Sequence, residues 1–190
     1  MKVNQCRFMT TNDAFDPTIL NWSRRYEWHY ALEAIKADPE LDTIHNTCCG
    51  GSEIHKVFAD KLETLGRKVT HSDMCKTPTN SEFRQFHHYD ILAKHWATFD
   101  CTLCISTIED FCNLKLVVQA FENLLEQTRK RLIITCDYPG MQINWLPYML
   151  GTKDYFLPAL DNPKALHGLN SSYPQPEMAD LRIILIDVEV

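Results

Sequence analysis

Residues 44–58, IHNTCCGGSEIHKVF, constrain the fold of this chain more than any other stretch. LDTIHNTC reads as a strand, Gly50 and Gly51 supply a turn, and Ser52 is placed to cap a helix. Ile54, Val57, Phe58, Leu62 and Leu65 then form one apolar stripe at helical spacing, closed by Gly66. RKVTHSD follows as a second short strand. Strand, glycine turn, helix and strand within about 30 residues make up a parallel crossover.

The rest of the chain keeps this alternation. Upstream, NWSRRYEWHYALEAIKA sets Trp28, Leu32 and Ile35 at helical spacing before Asp38-Pro39 ends the pattern. Downstream, FHHYD is a weak strand and FDCTLCIST a strong one. Leu114, Val117, Val118, Phe121, Leu124 and Leu125 mark the longest amphipathic helix, and RLIITCDY is a near-continuous apolar strand of the kind covered on both faces. Beyond Pro139-Gly140, MQINWLPYML reads as a short helix interrupted at Pro147. Residues 151–180 are loop-like, with Pro158, Pro163, Pro174 and Pro176, and LRIILIDVEV closes the chain as a last strand. The expected fold is therefore α/β, a Rossmann-like, mostly parallel sheet with helices on both faces.

A chain of 190 residues that is 45% hydrophobic forms one core, hence a single domain spanning 1–190. It divides into a helical lid region (1–38), a ligand-binding core (41–138) and an acceptor-side segment ending in the last strand (139–190). The formal charge is −6 with no run of Lys or Arg, which argues against nucleic-acid binding by phosphate neutralisation. No segment approaches the ~20 apolar residues of a bilayer span, and the N-terminus lacks a secretory-type apolar stretch. The expectation is a cytoplasmic protein with no membrane partner, its eight cysteines reduced.

In an open parallel sheet, ligands settle beyond the carboxyl ends of the strands, where the connections diverge. Gly50 and Gly51 allow close approach to the backbone there, and the amides opening the next helix favour an anion. The turn reads C-C-G-G-S-E-I rather than G-x-G-x-x-G, which disfavours a pyrophosphate cofactor. Asp73, at the end of the second strand of the crossover, is positioned to accept bonds from two ribose hydroxyls, and Asp90 ends the third. Asn46, Asp73 and Asp90, three polar positions at successive strand ends, make a nucleoside-shaped slot.

This arrangement resembles the class I S-adenosylmethionine-dependent methyltransferases over roughly residues 21–138. Four stretches carry the likeness: IHNTCCGGS as the glycine motif, VTHSDM as the ribose strand, HYDIL as the adenine strand and FDCTLCISTIEDF as the fourth-strand motif. Phe99, Asp100, Ser106, Thr107, Ile108 and Glu109 fit a family phrase of the type F-D-hydrophobics-S-x-x-E-H, with Asp110 in place of its His. The resemblance implies that Gly50 and Gly51 line the methionine part of S-adenosylmethionine and that Asp73 holds the ribose. It implies Met74 on the adenine, Asp90 and Ile91 near the adenine edge, and Ser106 and Thr107 facing the sulfonium. Asn46 stands where the family has an acid, and Cys48 where it has its first glycine. The family ends in two strands, one antiparallel. With only one legible here, either the sheet is trimmed at its carboxyl end or a strand is hidden in 151–180.

Each position also has a plainer role. Asp73 and Asp90 can cap turns, and Ser106 and Thr107 can be ordinary strand-end polar groups. Cys101 and Cys104 spell C-x-x-C, but on a strand positions three apart point to opposite faces, so no metal is expected. Cys48-Cys49 can be core thiols or, beside helix-opening amides, a thiol of lowered pKa. His87, His88 and His95 lack clustered partners at metal spacing. Trp22, Arg25, Tyr26 and Trp28 can form a lid over the cofactor or pack on the sheet.

The implied function is methyl transfer to a small molecule or an exposed protein or glycan group, yielding S-adenosylhomocysteine. Its alternative is an inactive methyltransferase-like binding or structural module. Alignment does most of the work in such a displacement. Glu109, Asp110, Tyr26 and His29 are the candidates by location for a general base.

Overall fold

In the computed structural model, described here over residues 1–19, 21, 23–95, 97–111, 114–137 and 183–190, seven strands join in one sheet. They are β1 (Lys2–Met9), β2 (Thr43–Thr47), β3 (Lys68–Asp73), β4 (Phe86–His88), β5 (Phe99–Ile105), β6 (Thr128–Asp137) and β7 (Ile183–Glu189). Among the described residues three α-helices accompany them: α1 (Arg24–Ala37), α2 (Glu53–Glu63) and α3 (Leu114–Glu126). The spatial order is β1-β7-β6-β5-β2-β3-β4. β2 to β6 run parallel, β7 is antiparallel to β6, and β1 is antiparallel to β7.

All seven residues of β5 are buried, because the sheet is covered on both faces. Alternation along the strand divides them. Cys101, Leu103 and Ile105 join the core under α1 and α2, with Trp28, Ile35, Phe58 and Leu62. Cys104 joins the core of the other face, with Val117, Phe121 and Leu124 of α3. The two sulfurs of the C-x-x-C thus lie on opposite faces, as the period of a strand requires.

The strand missing from the sequence reading is the N-terminal one. The segment 1–38, read as a helical lid region, begins with β1, which takes the free edge of β7. The sheet is therefore not trimmed: β7 is paired on one side with β6 and on the other with β1. A register shift between Val3 and Gln5 breaks the apolar alternation that would have marked β1 in the sequence. Residues 138–182, which include the expected Pro-interrupted helix and the loop-like 151–180, lie outside the described residues, as does Trp22.

A buried polar group ties this edge to α1. Asp187 on β7 is fully buried and accepts from Arg131 Nε (3.0 Å) and Nη2 (2.6 Å) on β6 and from the Tyr30 hydroxyl (2.6 Å) on α1. Pairing with this carboxylate raises the pKa of Arg131, so the guanidinium stays charged although half-buried. Among the described residues no helix is long and apolar enough to cross a membrane.

Candidate functional site

From β2 the chain moves outward in one direction to β3 and β4, then returns to place β5 and β6 on the other side. The strand order therefore reverses between β2 and β5, which is where an open α/β sheet leaves a crevice. A cleft of about 580 Å³ lies there, within the range of small-molecule sites.

Its floor is the turn after β2. Asn46, Cys48, Cys49 and Gly50 all line the cleft. Gly50 has φ +69°, and a Cβ on it would collide with the His55 ring, so this position requires glycine twice over. Gly51 corrects an expectation. It does not line the cleft but packs against Thr77, whose hydroxyl donates to the Gly51 carbonyl (3.1 Å). The first turn of α2 is closed from within: His55 Nδ1 accepts from the Ser52 amide (3.3 Å) and lies 2.8 Å from the Ser52 hydroxyl.

Cys48, two residues before Gly50 in this turn, is left-handed, with φ +52°. Ser106, at the end of β5, is likewise left-handed at φ +46°. Two such non-glycine residues on one cleft mark a place where surrounding structure holds the backbone in a costly region. A β-branched side chain tolerates that region far worse than cysteine. Cys48→Val is expected to lower stability by about 2 kcal/mol, while Cys48→Gly stays within about 1 kcal/mol of wild type. Urea denaturation of the two variants checks this, and equal losses remove the backbone explanation.

Asp73, at the end of β3, ties the turn to its neighbour. Oδ2 accepts from the Gly50 amide (2.9 Å) and Oδ1 from the Cys75 amide (2.8 Å). Each oxygen keeps one further acceptor position at the cleft. Met74 follows on the rim, 58% exposed, an apolar side chain standing in water beside an apolar pocket. Asp90, beyond β4, accepts from the Leu92 amide (2.9 Å) and lines the cleft together with buried Ile91.

Ser106, Thr107, Asp110 and Phe111 form the wall after β5. The Ser106 hydroxyl donates to Glu27 Oε1 (2.6 Å) and accepts from Arg24. Thr135 also donates to Glu27, and Arg24 Nη1 lies 2.5 Å from Glu27 Oε2. Glu27 is fully buried, so this network pins α1 against the ends of β5 and β6. It also brings Arg24 and Trp28 into the cleft lining, where Phe58, His55 and Ile105 join them. Sequence reasoning missed Arg24, Glu27, His55 and Phe58. Phe58 was legible only as part of the apolar stripe of α2, and His55 only by its place three residues after the capping serine.

The four candidates for a base separate. Asp110 lines the cleft. Glu109 does not, yet burial pushes its carboxyl up to about 7; Oε1 accepts from the Asp137 amide (3.1 Å), and Oε2 is buried with no hydrogen-bond partner among the described residues. Tyr26 and His29 are corrected. Tyr26 is buried in the core with its ring 5.2 Å from Phe15, and His29 sits on a face of α1 outside the cleft lining. Arg25 stacks over Phe15 and Tyr26, away from the cleft, so of the expected lid residues Trp28 alone among those described reaches it. Burial raises the Cys49 pKa and keeps its thiol un-ionised.

No protein-family model matches the sequence, and no curated protein matches it. Solved structures do. The N-methyltransferase NodS of Bradyrhizobium japonicum WM9, solved with S-adenosyl-L-homocysteine, superposes with a TM-score of 0.56 at 14% identity, over 92% of this chain and 91% of that one. The methyltransferase domain of bacterial CtHen1-C gives 0.54 at 10% identity, over 86% and 96%. An rRNA methylase from Escherichia coli gives 0.53 at 14%, over 88% of this chain and 65% of that one. At these identities the likeness is one of architecture. The chain has the fold of the class I S-adenosylmethionine-dependent methyltransferases.

Proposed function

We propose that this protein is an S-adenosylmethionine-dependent methyltransferase acting on a small molecule or on an exposed protein or glycan group. The observation that supports this most is the Gly50–Asp73 pairing across neighbouring strand ends. It sets a glycine amide and a carboxylate with spare acceptor positions on one side of a cleft of about 580 Å³. In this reading Asp73 holds the ribose, Met74 and Ile91 flank the adenine, and Asp90 stands at its edge. Asn46, Cys48 and Gly50 take the methionine part, and Ser106 and Thr107 face the sulfonium. The fit is one of polarity as well as size: acceptors stand at Asp73 and Asp90, apolar surface at Met74, Ile91, Phe111 and Trp28.

When bound, the cofactor supplies an already activated methyl group. The chain's own part is to align the acceptor and exclude water, for which Trp28, Phe58, Ile105 and Phe111 provide an apolar wall. Where an acceptor must lose a proton, Asp110 faces the cleft, and Glu109 has the matching proton affinity one residue behind it.

Titration calorimetry with S-adenosylmethionine and S-adenosylhomocysteine is expected to give saturable one-to-one binding; no saturable heat with either removes the reading and leaves an α/β scaffold. A screen with labelled cofactor then separates an enzyme from a binding module. Transfer to a nucleic acid in that screen would correct the acceptor class.

A further inference from the structure

Asn46 sits at the cleft with a neutral amide, which can present either an oxygen or an NH₂ to a ligand, and the two ends have opposite hydrogen-bonding character. What decides between them lies behind the cleft. Asn46 and His71 are register partners on β2 and β3, and the Asn46 Nδ2 atom lies 3.1 Å from His71 Nδ1. The other ring nitrogen, Nε2, lies 3.3 Å from Glu63 Oε1 on α2, at an angle too oblique for a well-formed hydrogen bond. His71 is fully buried, with its ring edge-on to Phe83 at 5.3 Å.

A neutral imidazole carries one proton. On Nδ1, that proton would leave the Nε2 lone pair facing the Glu63 carboxylate, two acceptors opposed in a buried site. On Nε2, it faces the carboxylate, and Nδ1 is free to accept from Asn46. The second arrangement opposes no two acceptors: the Nε2 proton lies toward the carboxylate, and Nδ1 accepts from Asn46. It leaves Asn46 Oδ1, which has no protein hydrogen-bond partner among the described residues, as the end available to the cleft. We propose that His71 is a positioning residue that, through Asn46, gives the floor of the cleft an acceptor for a cationic ligand group. On the methyltransferase reading, from which this inference starts, that group is the α-ammonium of the cofactor. The neutral ring this requires agrees with burial, which pushes the pKa of His71 down to about 4.

Two measurements test it. In protein carrying ¹⁵N-labelled histidine, two-bond correlations are expected to show His71 neutral with its proton on Nε2; a proton on Nδ1 overturns the proposal without any substitution. Calorimetry then compares S-adenosylhomocysteine with its analogue lacking the α-amino group. His71→Leu is expected to weaken the first by about tenfold and the second by less than about twofold. His71→Asn, which keeps an acceptor near the Nδ1 position, is expected to restore the difference. An unchanged ratio between the two ligands in His71→Leu overturns the role of His71 while leaving the methyltransferase reading intact. Failure of the wild type to bind S-adenosylhomocysteine removes both.

Discussion

Asp73→Ala is expected to weaken S-adenosylhomocysteine binding about 100-fold. Two hydrogen bonds from ribose hydroxyls to a carboxylate contribute about 1.5 kcal/mol each, and every 1.4 kcal/mol is a factor of ten. The same carboxylate also holds the Gly50 and Cys75 amides, so the substitution is expected to lower stability by about 1–2 kcal/mol as well. Asp73→Asn separates the two effects. Its remaining oxygen can still take one of the amides, while the charge that strengthens both ribose bonds is gone. Affinity is therefore expected to fall by at least about tenfold in Asp73→Asn, with less than half the stability loss of Asp73→Ala. Calorimetry beside urea denaturation reads both quantities. If stability falls and affinity does not, Asp73 is a fastener for the glycine turn and the ribose assignment is wrong.

That double duty shows what sequence reasoning can and cannot reach. The crossover from β2 through α2 to β3 was legible because three local signals agree: an apolar strand, a glycine turn and an amphipathic stripe. From it followed the strand-end positions of Asn46, Gly50, Asp73 and Asp90, to which the family resemblance added Cys48, Met74, Ile91, Ser106 and Thr107, and the fold gathers all nine on one cleft. Gly51 sits in the same turn and departs from the cleft, because a turn sends adjacent residues to different neighbours, here Thr77. Tyr26 misled for the same reason on a helix. It lies two residues from Trp28, and a helix turns about 200° over that distance, so one faces the Phe15 side while the other reaches the cleft. Glu27 was beyond local reasoning altogether. Its partners Ser106 and Thr135 come from strands far along the chain, and nothing local marks a glutamate as buried. β1 failed for want of alternation, as its bulge puts the inward residues out of step.

Glu109→Gln is expected to change the pH dependence of stability by about 3 kcal/mol. Burial, with Asp137 and Glu27 adding repulsion, raises this carboxyl from the ordinary 4.5 to about 7. Between those two values the folded protein keeps a proton that the unfolded chain has already released. Stability at this site therefore falls as pH rises through that window and levels off above it. At 1.36 kcal/mol per pH unit the loss is about 3 kcal/mol, or roughly 5–10 °C in Tm for a chain of this length. Glutamine has no proton to release and escapes that decline. At pH 5 the variant is expected to be no more stable than wild type, since its Nε2 donor takes the place of Oε2, which has no partner among the described residues. By pH 8 it is expected to be the more stable of the two. His45 and His71, whose pKa values burial lowers to about 3 and about 4, favour folding as pH rises toward 6.5, the opposite sense. They are common to both proteins and drop out of the difference. Urea denaturation of both proteins at pH 5, 6, 7 and 8 gives that difference directly. A constant offset across the series would mean that Glu109 is ionised throughout and that its burial does not raise its proton affinity.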